Sequence, residues 1–108
     1  MADYFQRGES LDYTNSTNAK IEAGDVIVFG TKIGVAGCDI APGAVGSIHV
    51  EGVFAFAKAT GAITAGAAVY WDATNAKITT TSTDNTLAGY AVAAAASADT
   101  TVLVKINA

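Results

Sequence analysis

Residues 46–57 read Gly46-Ser47-Ile48-His49-Val50-Glu51-Gly52-Val53-Phe54-Ala55-Phe56-Ala57, and no other stretch constrains the fold as much. Ile48, Val50, Phe54 and Phe56 recur at even places, with Ser47, His49 and Glu51 between the first of them. A period of two is the side-chain repeat of a strand with one face in a core. Gly52 breaks the alternation on the apolar side, where a bulge or a close backbone approach is the usual cause. The stretch is expected to be the central strand, with the other segments pairing around it.

Shorter strand candidates lie on both sides. Residues 19–29 carry the β-formers Ile21, Val26, Ile27, Val28 and Phe29, and residues 32–36 follow. Residues 77–81, 89–96 and 101–106 come later, with Val102, Val104 and Ile106 on one face of the last. Turn signals separate them at Ala23-Gly24-Asp25, Pro42-Gly43, residues 58–61, 72–76, 82–85 and 97–100. One pattern returns: Ile21-Glu22-Ala23-Gly24-Asp25-Val26-Ile27-Val28-Phe29 aligns with Ile63-Thr64-Ala65-Gly66-Ala67-Ala68-Val69-Tyr70-Trp71. A solenoid needs three or more units, so the recurrence points instead to one tight turn used twice. Residues 91–98 are rich in alanine, the best helix former, but so short a run without a strong cap makes a marginal helix. Beside a β-rich final segment it is expected as strand.

These readings give an all-β protein, a small β-barrel or β-sandwich, with a single β domain over residues 19–108. Of the 108 residues 51% are apolar, but much of that is alanine, so the core should be thin and lean on backbone pairing or on neighbouring subunits. Residues 1–18 have no hydrophobic period and are expected as an extended N-terminal arm. Tyr4, Phe5, Leu11 and Tyr13 are the arm's candidates for contact with a partner.

Several chemistries find no support. Six basic against ten acidic residues leave a net charge of −4 with no basic cluster, which disfavours nucleic-acid binding. Cys38 stands alone, so no intrachain disulfide or cysteine zinc site is expected, and its plain reading is a small buried hydrophobe. The polar N-terminus argues against a signal peptide, and no apolar run approaches the roughly 20 residues of a membrane helix. Synthesis and use in a reducing cytoplasm follow, and without secretion the sequon Asn15-Ser16-Thr17 has no meaning. The single histidine, His49, excludes a His-rich metal site. Ser47, His49 and Glu51 share a strand face about 6.5–7 Å apart, side by side and not convergent, so they read as a solvated or interface face and not as a triad. The acids are scattered in or near turns without calcium-loop spacing, and no local carboxylate pair suggests glycosidase chemistry. Gly30-Thr31-Lys32 has the wrong order for a phosphate loop and lies between strand-like residues. Tyr70 and Trp71 alternate faces on a strand and read either as core packing or as an aromatic anchor at a subunit contact. No catalytic, cofactor-binding or metal-binding residue is assigned, no cofactor is expected, and the chain is not expected to be an enzyme. His49, Glu51, Tyr70 and Trp71 are the candidates for a subunit interface.

Taken together, several segments resemble the tailed-phage capsid cement, or head-decoration, protein family. They are Gln6-Arg7-Gly8 leading to Asp12-Tyr13-Thr14, then Ile21 to Ile27, Gly34-Val35-Ala36, the 46–53 strand, and Ala65-Gly66 with Val69-Tyr70-Trp71-Asp72. Each motif alone is weak, and specificity rests on their order and spacing. Some members of the family carry a recombinase label, which this sequence does not support. The resemblance implies a β-rich structural protein of the virion that binds the outside of the expanded head, commonly as a trimer, and stabilises the shell. Its partner would be the major capsid protein, reached by an arm that adds a strand to an exposed sheet edge. Two alternatives are a small β-barrel binding module for a carbohydrate or small ligand, and another virion structural component. A compact hydrolase has no motif behind it.

Overall fold

The computed structural model describes residues 10–107. Among them are nine strands and no helix: β1 (Ser10–Thr14), β2 (Val26–Phe29), β3 (Lys32–Ala36), β4 (Val45–His49), β5 (Val53–Ala57), β6 (Ala68–Asp72), β7 (Lys77–Thr79), β8 (Thr86–Ala91) and β9 (Thr101–Ile106). They form two antiparallel sheets, in the orders β1-β4-β3-β2 and β5-β9-β8-β6-β7. Neither sheet closes into a barrel, and β3 of the first packs against β8 of the second. The fold is a β-sandwich.

The two sheets repeat one plan. β1, β4, β3 and β2 correspond in order and pairing to β5, β9, β8 and β6. Val26 pairs with Val35 and Val35 with His49; at the same places Ala68 pairs with Tyr90 and Tyr90 with Lys105. The turn seen twice in the sequence is the hinge of each copy. Gly24 N donates to Ala36 O at 2.8 Å, and Gly66 N to Ala91 O at 2.7 Å. Ile21 exchanges backbone bonds with Ile40 at 2.9 and 2.7 Å, as Ile63 does with Ala95 at 2.9 and 2.8 Å. Both glycines have positive φ (92° and 84°), which glycine adopts at no steric cost.

The recurrence extends to the two buried polar residues, which occupy the position just after β1 and just after β5. Asn15 N donates to Ala44 O and Lys58 N to Thr100 O, each at 2.9 Å. The Asn15 amide donates to Ala19 O (2.8 Å) and Ile40 O (2.9 Å), and Lys58 Nζ to Ala59 O (2.9 Å), Ser97 O and Asp99 O (both 3.3 Å). Each side chain thus satisfies carbonyls that the hinge loops leave without a ladder partner. The copies differ around the second hinge strand: β2 pairs regularly with β3 and passes straight to it through Gly30-Thr31, whereas the β6–β8 register shifts between Val69 and Tyr70 and β7 is inserted after β6.

Each copy has its own core. Ile27, Ala36, Ile40, Ile48 and Val50 form one, with Leu11, Tyr13 and Phe29 packed against it. Phe56, Ile63, Val69, Ile78, Val102, Val104 and Ile106 build the other, joined by Ile33 and Val35 from the first sheet. Strand β3 is therefore buried on both faces. Asn107 fastens this junction, its side-chain amide donating to Ile33 O at 2.7 Å and Val50 O at 2.9 Å.

Three sequence expectations change. Residues 46–57 are not one central strand but β4 and β5 in different sheets, and β5 is an end strand. The chain turns at Gly52 (φ 118°), so Ile48 and Val50 serve one core and Phe56 the other. The strand expected over 89–96 runs from Thr86 to Ala91, and the alanines beyond it form the second hinge. Residues 10–14, assigned from sequence to an arm, are strand β1 on the edge of β4, because Leu11 and Tyr13 alternate onto the first core.

The β6–β7 turn is pH-sensitive. The Asp72 carboxylate accepts from the Asn75 side-chain amide at 2.8 Å, and from the backbone N–H of Thr74 at 3.0 Å and of Asn75 at 3.2 Å. These bonds, that of the Asn75 side chain foremost, hold the carboxyl below the usual aspartate value. A depressed value means that the turn is fully supported above the unfolded aspartate pKa and loses that support as pH falls through the lowered one. An NMR titration should show Asp72 protonating below an unstructured aspartate, with the Thr74 and Asn75 amide shifts moving in step. The variant Asp72→Asn should lack that step.

Candidate functional site

The outward face of β5, β9 and β8 is apolar except for Thr101 and Lys105 of β9. Val53 pairs across to Lys105, and Lys105 to Tyr90; Ala55 pairs with Leu103, whose carbonyl accepts from Val92 N at 3.0 Å. Val53 is 50% exposed, Leu103 46%, and Tyr90 and Val92 37% each. The inward residues of these strands, Phe56, Val102, Val104 and Ile106, already fill the core, so the outward ones add nothing to it.

The duplicated plan supplies an internal control. On the matching face of the first sheet, Ser10 stands where the second has Val53, and Asp12 where it has Ala55. Ser47 stands for Leu103 and His49 for Lys105, with Val45 the one apolar exception among the outward positions of β1 and β4. Where β1 and β4 are compared with β5 and β9, the same backbone thus carries mostly polar outward residues in one copy and mostly apolar ones in the other, whereas on β3 the place of Tyr90 is taken by Val35, buried in the second core. The fold does not demand the apolar residues. Exposed apolar side chains grouped on one sheet face make it the candidate binding face.

The residues singled out from sequence fall elsewhere. Leu11 and Tyr13 pack onto the first core, while Tyr4 and Phe5 lie outside the described residues. His49, 3.1 Å from the Ser10 hydroxyl through Nδ1, begins a row of rings: His49 to Phe54 at 5.8 Å, Phe54 to Phe56 at 6.5 Å, and Phe56 to Trp71 at 6.1 Å. Trp71 is half-buried against the second core, its neighbour Tyr70 is half-buried too, and Glu51 is exposed at the corner between β4 and β5. Cys38 is exposed, not buried as expected. No group of three or more His, Cys, Asp or Glu side chains able to hold a metal occurs among the described residues.

Sequence reasoning missed Val53, Tyr90, Val92 and Leu103. A signal was present: residues 53–57 and 102–104 are continuously apolar, which is how a strand covered on both faces reads. Attention to the even positions alone hid it.

A family model described as Phage cement protein matches residues 5–106, nearly the whole chain. No curated protein and no solved structure is found to match it. The chain belongs to the phage cement protein family.

Proposed function

We propose, with membership of the phage cement protein family as the premise, that this protein binds the outer surface of the expanded phage head and stabilises the shell without catalysis. Its partner is the major capsid protein, and the outer face of β5, β9 and β8 is the surface laid against it. The observation that carries this reading is the contrast between two strand pairs of the plan, with Ser10, Asp12 and Ser47 outward on β1 and β4 where β5 and β9 have Val53, Ala55 and Leu103. Removing apolar area from water contributes about 25 cal/mol per Å², which must exceed the cost of ordering two bodies.

Stabilisation then follows from mass action. A protein that binds the assembled shell but not its separated subunits adds its binding free energy to what must be lost before the shell opens. Trimers at local threefold positions, as the resemblance implies, would multiply the effect, because each further contact forms at high effective concentration. Co-sedimentation with expanded heads that lack the protein, beside unexpanded proheads, tests the proposal. Saturable binding to expanded heads and a raised rupture temperature are expected. Absence of binding to both particles would overturn it and turn attention to another virion position or to a small-ligand module.

A further inference from the structure

A cleft of about 730 Å³ opens between the end strand of one sheet, β2, and the end strand of the other, β5. Val26, Val28 and Val35 of the first sheet meet Phe54, Phe56 and Trp71 of the second there, and Val28 is 40% exposed. Among the described residues that line it, Asp25 alone is charged. The backbone of β2 adds a second feature. Its two-residue turn to β3, Gly30-Thr31, makes Phe29–Lys32 and Ile27–Gly34 the bonded pairs of that ladder. The N–H and C=O groups of Val26 and Val28 therefore point away from β3, towards the open edge. The bonds of Ile33, the partner of Val28, agree. Ile33 N donates to Asn107 Oδ1 at 3.3 Å and Ile33 O accepts from Asn107 Nδ2 at 2.7 Å, so neither group is turned to β2. Among the described residues no strand pairs with this edge. Such a row of unpaired groups is a template for one more strand. On β6, the corresponding strand of the second sheet, the edge is covered along Tyr70, Trp71 and Asp72 by β7, whose Ile78 is fully buried.

The cleft is continuous with the face assigned to the shell. Strand β5 turns Val53 and Ala55 to that face, while its residues 54–57 line the cleft. A partner laid on the outer face thus reaches the cleft by passing round one strand edge. Resting on the shell-binding reading above, we propose that an extended segment of the major capsid protein adds to β2 as an edge strand in this cleft, its apolar side chains laid on Phe54, Phe56 and Trp71 and a basic residue beside Asp25. The strand passes from the capsid protein to this chain, the reverse of an arm given out by it. The four residues of β2 offer about 13 Å of ladder at about 3.3 Å per residue. The lining selects an apolar segment, and Asp25 disfavours an acidic one.

Val28→Pro removes an edge N–H without breaking a β2–β3 bond, and Val28→Lys places on the edge a charge that deters an added strand. Both variants should keep their thermal melts and bind expanded heads about tenfold more weakly, the loss of one or two backbone hydrogen bonds. Val28→Thr, which keeps the side-chain shape and the backbone, should bind as the unmodified protein does. Hydrogen exchange of the unmodified protein gives a readout that needs no variant: the Val26 and Val28 amides should exchange fast in the free protein and slowly on heads. Unchanged exchange of these amides on heads, or full binding by folded Val28→Pro and Val28→Lys, would overturn the proposal and leave shell binding itself standing. Failure of the unmodified protein to bind heads would remove both. Slow exchange in the free protein that quickens on dilution would also overturn the proposal, because the added strand would then come from a second copy of this chain.

Discussion

The double variant Val53→Ser, Leu103→Asp should lose binding to expanded heads while keeping its fold. Both side chains point away from a core that Phe54, Phe56, Val102 and Val104 complete or pack against, so their replacement leaves the interior intact. Substitutions at such surface positions usually alter stability by no more than about 0.5 kcal/mol. In the complex the situation reverses. Each half-exposed side chain forfeits about 1 kcal/mol of burial, and an aspartate pressed against an apolar partner without a counter-charge costs several times that. A total near 4 kcal/mol is a weakening of about a thousandfold. The control is Ser47→Asp, which places the same aspartate at the equivalent position of the first sheet, and it should bind as the unmodified protein does. Co-sedimentation isotherms for the three proteins, with thermal melts alongside, decide the matter. Equal loss from both faces would mean that binding responds to charge in general and not to this surface.

Gly89→Ala should unfold the protein or nearly so. Gly89 lies inside β8, paired with Ile106 of β9, and its φ is 151°. A Cβ placed there would run into the backbone carbonyl oxygen of Lys105, with Lys105 C at 2.9 Å and Ile106 Cα at 3.1 Å. All three are main-chain atoms of the neighbouring strand, so no side chain can swing aside. Relief requires parting β8 from β9, the pair at the centre of the second sheet. An effect above about 4 kcal/mol is expected, a large share of the roughly 5–15 kcal/mol that holds a domain together. Gly24→Ala provides the comparison: its φ is 92° but nothing lies within 4 Å of the added atom. There only the backbone penalty applies, about 1–2 kcal/mol. Urea unfolding of both variants measures the difference.

What could be read from sequence, and what could not, divides along physical lines. Strands β3 and β9 lie where the alternation put them, because Ile33, Val35 and Val102, Val104, Ile106 announce a period of two. The hinge at Gly24 and Gly66 was legible for the same reason: a positive φ restricts the residue choice. The full duplication was not. Its second hinge pair is Ile40-Ala41-Pro42-Gly43 and Ala95-Ala96-Ser97-Ala98, which share a bond pattern and hardly a residue. Backbone bonds leave little trace in side-chain identity. The break between β4 and β5 was equally hidden, since the even-numbered apolar positions resume at Phe54 after the interruption at Gly52 whether the chain bulges within one strand or changes sheets. The apolar outer residues were written plainly in residues 53–57, yet only comparison with β1 and β4, polar at the same places, shows that the strand pairing itself does not require them.

The central claim is that the outer face of β5, β9 and β8 meets the shell, and hydroxyl-radical footprinting of the protein free and bound to expanded heads tests it most directly. Protection of Val53, Tyr90, Val92 and Leu103 in the bound state, with the face bearing Asp12, Ser47 and Val45 as reactive as before, is the predicted result. Protection of that first-sheet face, with Leu103 and Tyr90 still open to oxidation, would contradict it.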